Sequence, residues 1–438
     1  MILSIILWFC ISTFSLGMKD FKLITLGMIM ILLFLNASNE MDLMFFIDSL
    51  SYPLIILSLF ITLLIFIYSL NKKYMIKLML VCNLVIVLFF SFSHVFNFFL
   101  MFELSLLPMF VMILGMGYQP ERFKATWYMM MYTLLASAPL FVNVCFIMAF
   151  DGNCYIFLWE ISPVEEDSVL IVFSSTLALF VKIPMFLTHS WLPKAHVEAP
   201  LESSIILASL MLKMGVLGLI RTFHLFNFDT YSTIVLISLS LMGSFLASLL
   251  ALSSDDMKMS VAYSSVSHMN FMLSGLMTLK LLSINASLIT MISHGLSSTA
   301  LFILVTIIYN KTNSRSILIS KGIMVIYPFM NLLAFVAWCL NLAAPPSMAF
   351  WGEVWSFSCL LSFSWISFFF SLVYILVNSF FSIFNYNLEF HCSCKVKSKS
   401  FVDTKCMLVL MMVLIPSVLM FFSMAMILYE DSLIKPLD

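Results

Sequence analysis

Residues 169–189 read VLIVFSSTLALFVKIPMFLTH, an apolar run with one charge, Lys182, placed two residues before Pro184. A bilayer core about 30 Å thick takes about 20 helical residues, so the run has the length of one crossing. The lysine is out of place there. An ionised side chain at the centre of a membrane helix costs about 2.5–3.5 kcal/mol on the insertion scale. Three other apolar runs repeat the anomaly: Glu103 in FLMFELS (99–105), Lys213 in MLKMG (211–215) and Glu353 in FWGE (350–353). Four unpaired charges would cost roughly 10 kcal/mol together, so they must serve a purpose, and carrying an ion, above all a proton, is the simplest one.

The rest of the chain has the same character. Of its 438 residues 63% are hydrophobic and 10% charged, and the mean hydropathy is +1.10. No soluble domain of this size can bury so much apolar surface, so the bilayer is the solvent. Irregular backbone is then tolerated only where protein or a wet cavity covers it. The net charge of -1 gives no reason to expect a nucleic-acid partner. The start of the chain is apolar, lacks a basic segment and a small-residue cleavage site, and reads as a retained first span.

Apolar runs fall at 1–17, 21–36, 52–70, 75–93, 95–117, 126–150, 169–189, 201–221, 231–252, 258–279, 283–309, 322–364, 367–386 and 406–428. The expected fold is therefore all-α and polytopic, with about fourteen spans. The run 322–364 exceeds one straight crossing and is interrupted by Pro345 and Pro346. Counting it as one broken span places Lys19, Lys22, Lys72, Lys73, Lys77, Arg122, Lys124, Lys194, Lys258, Lys311, Arg315, Lys321, Lys395, Lys397, Lys399 and Lys405 on one side. Only Arg221, Lys280 and Lys435 fall on the other, and splitting the run in two spoils this asymmetry. The positive-inside rule thus favours one broken span, both termini on the poorly basic side, and an inner basic loop at 387–405.

Prolines also hint at an internal repeat. Pro184 lies about 110 residues after the fourth span begins, and Pro345 about 115 residues after the ninth. The two starts are five spans apart, and an odd number inverts topology. Proline-broken spans at matching places in two halves are the mark of a transporter-like inverted repeat.

The chemistry follows from the breaks. A proline inside a helix removes a backbone donor and displaces a carbonyl a turn earlier, leaving acceptors and room for water around Lys182. Burial disfavours an ammonium, whereas a carboxylate within reach favours it. Glu103 is the carboxylate available, and its approach or withdrawal would make Lys182 hold or release a proton; a static ion pair that only fixes packing is the competing reading. Lys213 sits mid-span and Glu353 follows the second break. His268 and His294 lie in late spans among Ser264, Ser265, Ser267 and Ser293, Ser297, Ser298. Histidine titrates near neutrality, which suits a relay, although each histidine alone would equally serve structure. With Lys213 and Glu353 they form a candidate polar line. His94 and His224 lie near span ends, where a water-facing role is the default reading. The stretch HSWLPKAHVEAP (189–200) reads as a short interfacial turn on the inner side.

Cysteines and glycines add no cofactor site. Most of the nine cysteines lie within apolar runs and read as small hydrophobes. His391, Cys392 and Cys394 cluster near one another but lack the paired Cys-x-x-Cys spacing of a zinc or iron–sulfur site. There is no Gly-x-Gly-x-x-Gly and only 12 glycines in all, which argues against a dinucleotide fold.

Several strings carry a family resemblance: QPER (119–122), WLPKAHVEAP (191–200), AYSSVSHM (262–269), HGLSS (294–298), and Pro345-Pro346 followed by Gly352-Glu353. Over about residues 95–355 the chain resembles subunit 4 of NADH:ubiquinone oxidoreductase, respiratory complex I, and its Phe- and Met-rich composition looks mitochondrially encoded. The resemblance implies an antiporter-like, proton-pumping subunit of the membrane arm. It implies N-terminal helices over 1–74, a first antiporter-like repeat over 75–226, a second over 227–386, and an inner basic loop with a C-terminal helix over 387–438. The family's proton-transfer residues fall on Glu103, Lys182, Lys213, His268, His294 and Glu353. Nicotinamide, flavin, iron–sulfur and ubiquinone sites would belong to other subunits, leaving this chain without a cofactor or metal. Neighbouring antiporter-like subunits and lipids would be its partners, and the inner mitochondrial membrane its location, with termini toward the intermembrane space and basic loops in the matrix. Two departures stand out: Ala349 replaces the asparagine usual after the second break, and MGVLG (214–218) is slightly off pattern. A subunit of a multisubunit sodium/proton antiporter and a purely structural scaffold are the rival readings.

Overall fold

The computed structural model describes residues 47–69, 72–117, 119–151, 169–223, 230–322, 328–391 and 404–434. The first two expected spans, 1–17 and 21–36, lie outside the described residues, as do Cys392 and Cys394. Every regular element described is helical, apart from isolated bridge residues, among them Asp256 paired with Ser316. The chain divides into two compact units, Met1–Asp229 and Thr230–Asp438.

The N-terminal unit contains α1 (Ser51–Tyr68), α2 (Lys73–Ser91), α3 (Val95–Leu104), α4 (Leu106–Met116), α5 (Arg122–Asp151), α6 (Val169–Lys182) and α7 (Trp191–Glu198). A further crossing is built from α8 (Leu201–Ile206), a π-helical turn (Leu207–Met211) and α9 (Leu212–Phe223). This α8–α9 crossing is the unit's centre, with every residue of its apolar window buried. It packs on α6 through α9, while α5 packs on both α6 and α7.

The C-terminal unit contains α10 (Thr230–Ser253), α11 (Met257–Leu276), α12 (Leu281–Thr312), α13 (Pro328–Asn341), α14 (Met348–Phe363), α15 (Trp365–Phe390) and α16 (Thr404–Ile434). Here α12 is the fully buried centre, packed on α11, α13, α14 and α16. It ends at Asn313, whose left-handed backbone (φ 52°) turns its N–H back to Tyr309 O at 2.8 Å. That is the usual αL cap, and asparagine tolerates it. Eight helical stretches among the described residues have the length and apolarity to cross a membrane.

Four departures from uniform spans position the site. The run 95–117 is not continuous: α3 and α4 meet at a break at Ser105. Pro108 explains it, because it has no N–H to return to the Leu104 carbonyl. The run 169–189 stops being helical at Lys182. The run 201–221 contains the π turn, and the run 322–364 becomes α13 and α14, each shorter than the roughly 20 residues of a straight crossing. Residues 191–198, expected as a surface turn, form the helix α7, with His196 and Glu198 buried.

Candidate functional site

Lys182 is the last residue of α6 and is 2% exposed. The broken end beyond it is closed by local bonds. Ile183 N–H donates to Leu179 O (2.8 Å), Met185 N–H to Phe180 O (3.1 Å), and the Trp191 indole N–H to Val181 O (3.1 Å). A helix C-terminus carries partial negative charge, so it suits a cation. The ammonium crosses to the α3–α4 break. Its Nζ donates to Phe102 O at 2.8 Å and to Ser105 Oγ at 3.3 Å, and lies 3.3 Å from the centroid of the Phe102 ring. Two irregularities, one per helix, thus meet at one lysine.

Glu103 is adjacent to that acceptor, yet it makes no contact ion pair with Lys182. Both carboxylate oxygens are shielded from solvent and accept no hydrogen bond from the described residues. The arrangement departs from the static pair weighed above: the lysine is held by backbone and hydroxyl oxygens, and the neighbouring carboxylate stands apart from it.

Lys213 is completely buried on α9. Its ammonium bends back along the helix and donates to Ala208 O at 2.6 Å, inside the π turn. A π turn opens the backbone ladder by one residue and is common at functional sites. Close packing links this crossing to the first break. A Cβ built on Gly215 would stand 2.8 Å from the Ile183 side chain and 3.2 Å from Lys182 Cβ.

In the C-terminal unit, His268 (α11), His294 (α12) and Glu353 (α14) come together. His268 Nδ1 lies 3.7 Å from Glu353 Oε1 and 3.2 Å from the Tyr374 hydroxyl of α15. The two imidazole centroids are 6.0 Å apart. These three residues, with Asn341, Ala349 and Ser297, line a cavity of about 20 Å³. That volume holds one water. Gly352 sets the approach of α14, since a Cβ there would meet Thr290 Cγ2 at 2.5 Å and Thr290 N at 3.2 Å on α12.

The second break resembles the first in its bonding. Leu342 N–H donates to Trp338 O (2.9 Å) and Ala344 N–H to Cys339 O (3.1 Å), the same pair of offsets seen after Leu179 and Phe180. The helix stops just before Pro345 and Pro346, as α6 stops before Pro184. Asn341 at the end of α13 brings an amide to the cavity that Ala349 also lines. Its Nδ2 and His268 Nε2 are shielded and have no partner among the described residues, a state that water commonly completes in a polar cavity.

Sequence reasoning missed several participants. Phe102 and Ala208 act through their carbonyls, which no side-chain motif reveals; only Pro108 signalled the first. Tyr374 lies in a run that reads as a plain span, and Asn341 in the run that reads as one broken span. Arg221, expected in an outer loop, is buried, donates to Phe90 O and Phe92 O at 2.9 Å each, and stands 3.7 Å from Asp48.

Apolar helices in two units, each with a buried charge beside a proline-associated break, define an antiporter-like membrane subunit. Residues 93–382 match the family described as NADH:quinone oxidoreductase/Mrp antiporter, TM. The chain is 41% identical over 342 residues to NADH-ubiquinone oxidoreductase chain 4 of Ceratitis capitata, covering 76% of this chain and 75% of that one. It is 36% identical over 363 residues to the same chain of Rhipicephalus sanguineus, covering 81% and 82%. The chain belongs to the NADH-ubiquinone oxidoreductase chain 4 family. Among solved structures, a chain of respiratory complex I from Thermus thermophilus with bound NADH superposes with a TM-score of 0.83 at 18% identity, covering 96% of this chain and 94% of that one. An archaeal membrane-bound sulfane sulfur reductase reaches the same TM-score and identity over 95% and 74%. Those two likenesses speak for the fold alone.

Proposed function

We propose that this chain is a proton-pumping subunit in the membrane arm of NADH:ubiquinone oxidoreductase, and that its own residues carry the protons. The observation that carries the residue assignment is the His268–His294–Glu353 cavity behind the second break, which gathers three titratable groups around space for a water. Protons enter from the basic side to Lys182, pass Lys213, reach the histidines and Glu353, and leave on the acidic side. Glu103 biases Lys182 by charge, at a distance, without bonding it. Electron transfer in other subunits supplies the energy through conformational or electrostatic change along the arm.

The magnitudes agree. Moving one proton against the field costs about 2.3 kcal/mol per 100 mV. A hundredfold change in a site's proton affinity is worth about 2.7 kcal/mol, which charge rearrangement beside a buried lysine can supply.

The wider architecture belongs to the same proposal: fourteen spans, two inverted five-helix repeats, and termini toward the intermembrane space with basic loops in the matrix of a mitochondrion. The repeat is supported by the matched hydrogen-bond offsets at the two breaks. The orientation rests on the loop charges. NADH, flavin, iron–sulfur clusters and ubiquinone are held by other subunits, and neighbouring antiporter-like chains and lipids cover the exposed apolar faces.

The test is Lys182→Ala in the assembled complex, reconstituted in liposomes. The H+/e− ratio falls, with redox-driven transport independent of sodium. An unchanged ratio overturns the proposal; a sodium requirement returns the sodium/proton antiporter reading.

A further inference from the structure

The buried side of α15 is polar from its middle to its end. Tyr374, Asn378, Ser382, Asn385 and Glu389 recur at intervals of four, four, three and four residues, so they share one helix face. All five are buried, none above 2% exposed. The opposite face carries large exposed apolar side chains, among them Phe369, Leu376, Phe380 and Ile383. A helix that needs only to pack in a membrane does not require this. Serine hydroxyls can be neutral packing residues because they bond their own helix, as Ser382 does to Ser379 O at 3.0 Å. Asparagines and a glutamate cannot be accommodated so cheaply.

Their hydrogen bonding is incomplete. Asn378 Oδ1 and Asn385 Nδ2 are shielded from solvent and have no partner among the described residues. The Glu389 carboxylate accepts one long bond, from the Trp338 indole N–H at 3.4 Å. The residue is 1% exposed, one turn beyond where the apolar run of the sequence ends. A carboxylate so placed is costly unless water or a proton accompanies it. At the other end of the row, the Tyr374 hydroxyl already bonds His268 Nδ1, which faces Glu353. The chain beyond Glu389 leads into Lys395, Lys397 and Lys399, the basic loop.

We propose that this face of α15 is a hydrated proton branch running from Glu389 to the His268–Glu353 cavity, giving the C-terminal unit an entry of its own from the basic side. The branch rests on the proton-carrying reading above and adds a second inlet to it. It runs 15 residue steps along the helix from Tyr374 to Glu389, about 22 Å at a rise of about 1.5 Å per residue. Glu389 takes a proton from water on the basic side and releases one to water along the row. The Asn385, Ser382 and Asn378 side chains hold that water. Tyr374 donates its hydroxyl proton to His268 Nδ1 as it receives another, so no charge stays on the phenol.

The experiment compares Glu389→Gln, Glu389→Asp, Asn385→Leu and Lys182→Ala in the complex in liposomes, reading the H+/e− ratio against NADH oxidation. Glutamine still accepts from the Trp338 indole, so a merely structural carboxylate loses nothing. The expected result is that Glu389→Gln and Asn385→Leu bring the ratio at least halfway to the Lys182→Ala value and that Glu389→Asp restores it. If Lys182→Ala lowers the ratio and Glu389→Gln does not, the branch is wrong and the proton-carrying reading stands. If neither lowers it, both are wrong. Should the variants fail to assemble, ordered water in a high-resolution map of the unmodified complex decides. Water density joining Asn385, Asn378 and Tyr374 supports the branch, and a dry, closely packed face overturns it.

Discussion

The two units hold their buried charges in different ways. In the N-terminal unit the two buried lysines are held by carbonyls at helix irregularities: Phe102 O at the α3–α4 break and Ala208 O in the π turn. In the C-terminal unit the groups are imidazoles and a carboxylate. They meet one another and a tyrosine hydroxyl around a cavity. A lysine has three donors and no acceptor, so only fixed oxygens can replace its hydration. A histidine and a glutamic acid can each donate or accept, so they can pass a proton between side chains and one water. The first unit is built to hold a charge, the second to hand one on. Common to both is a glycine that brings a broken helix onto the buried central crossing: Gly215 against Ile183, and Gly352 against Thr290.

The strongest way to break the comparison is to remove that common feature. Gly352→Val forces a side chain into Thr290, backbone included, and overpacking of this kind costs about 1–3 kcal/mol. The amount of assembled complex on a native gel should drop severalfold, and less for Gly215→Val, whose nearest obstacle, Ile183 Cγ1 at 2.8 Å, is less close than Thr290 Cγ2 at 2.5 Å. Equal losses would mean that the two contacts are equivalent. Next comes Lys213→Met, which keeps the length and apolar stem but removes the charge. Replacing a buried charge by an apolar isostere is often neutral for stability. Assembly should survive while redox-coupled proton transport falls at least tenfold. Normal transport with poor assembly would make Lys213 a structural residue.

The sequence reveals the unusual charges and conceals what surrounds them. Glu103, Lys182, Lys213 and Glu353 stand out because charge in an apolar run has a known cost, and Pro184 and Pro345 mark the breaks because proline has a known geometry. The π turn is a different matter. Nothing in LASLM distinguishes it from an ordinary helical turn. The contact of Lys182 with Phe102 O joins residues 80 apart through a carbonyl, which every residue possesses. Tyr374 and Glu389 were legible in principle through the period of the polar face of α15. They were masked because hydropathy averages over a helix whose other face is strongly apolar. The apolar run ends at 386 and puts Glu389 in the loop, whereas the helix continues to Phe390.

Finer substitutions sharpen the comparison. Tyr374→Phe removes the hydroxyl that touches His268 and keeps the ring stacked on Phe271, whose centroid is 4.8 Å away. A neutral hydrogen bond contributes about 0.5–1.5 kcal/mol net, so a change of about two- to tenfold in the coupled transport rate is expected, with assembly intact. No change would place the hand-on step elsewhere in the cavity.

Ser105→Ala should have the smallest effect, and its size tests the carbonyl account directly. Ser105 Oγ donates to Phe102 O at 2.7 Å and receives Lys182 Nζ at 3.3 Å. Alanine removes both bonds. The second is long, and the shorter bond from Lys182 to Phe102 O remains. The Phe102 carbonyl, freed from its hydroxyl donor, becomes a better acceptor for the ammonium, which offsets part of the loss. The net change should stay near or below about 1 kcal/mol, a drop of roughly fivefold or less in coupled transport. If the loss instead equals that of Lys182→Ala, the hydroxyl and not the carbonyl holds the charge. The N-terminal unit would then depend on side chains just as the C-terminal unit does.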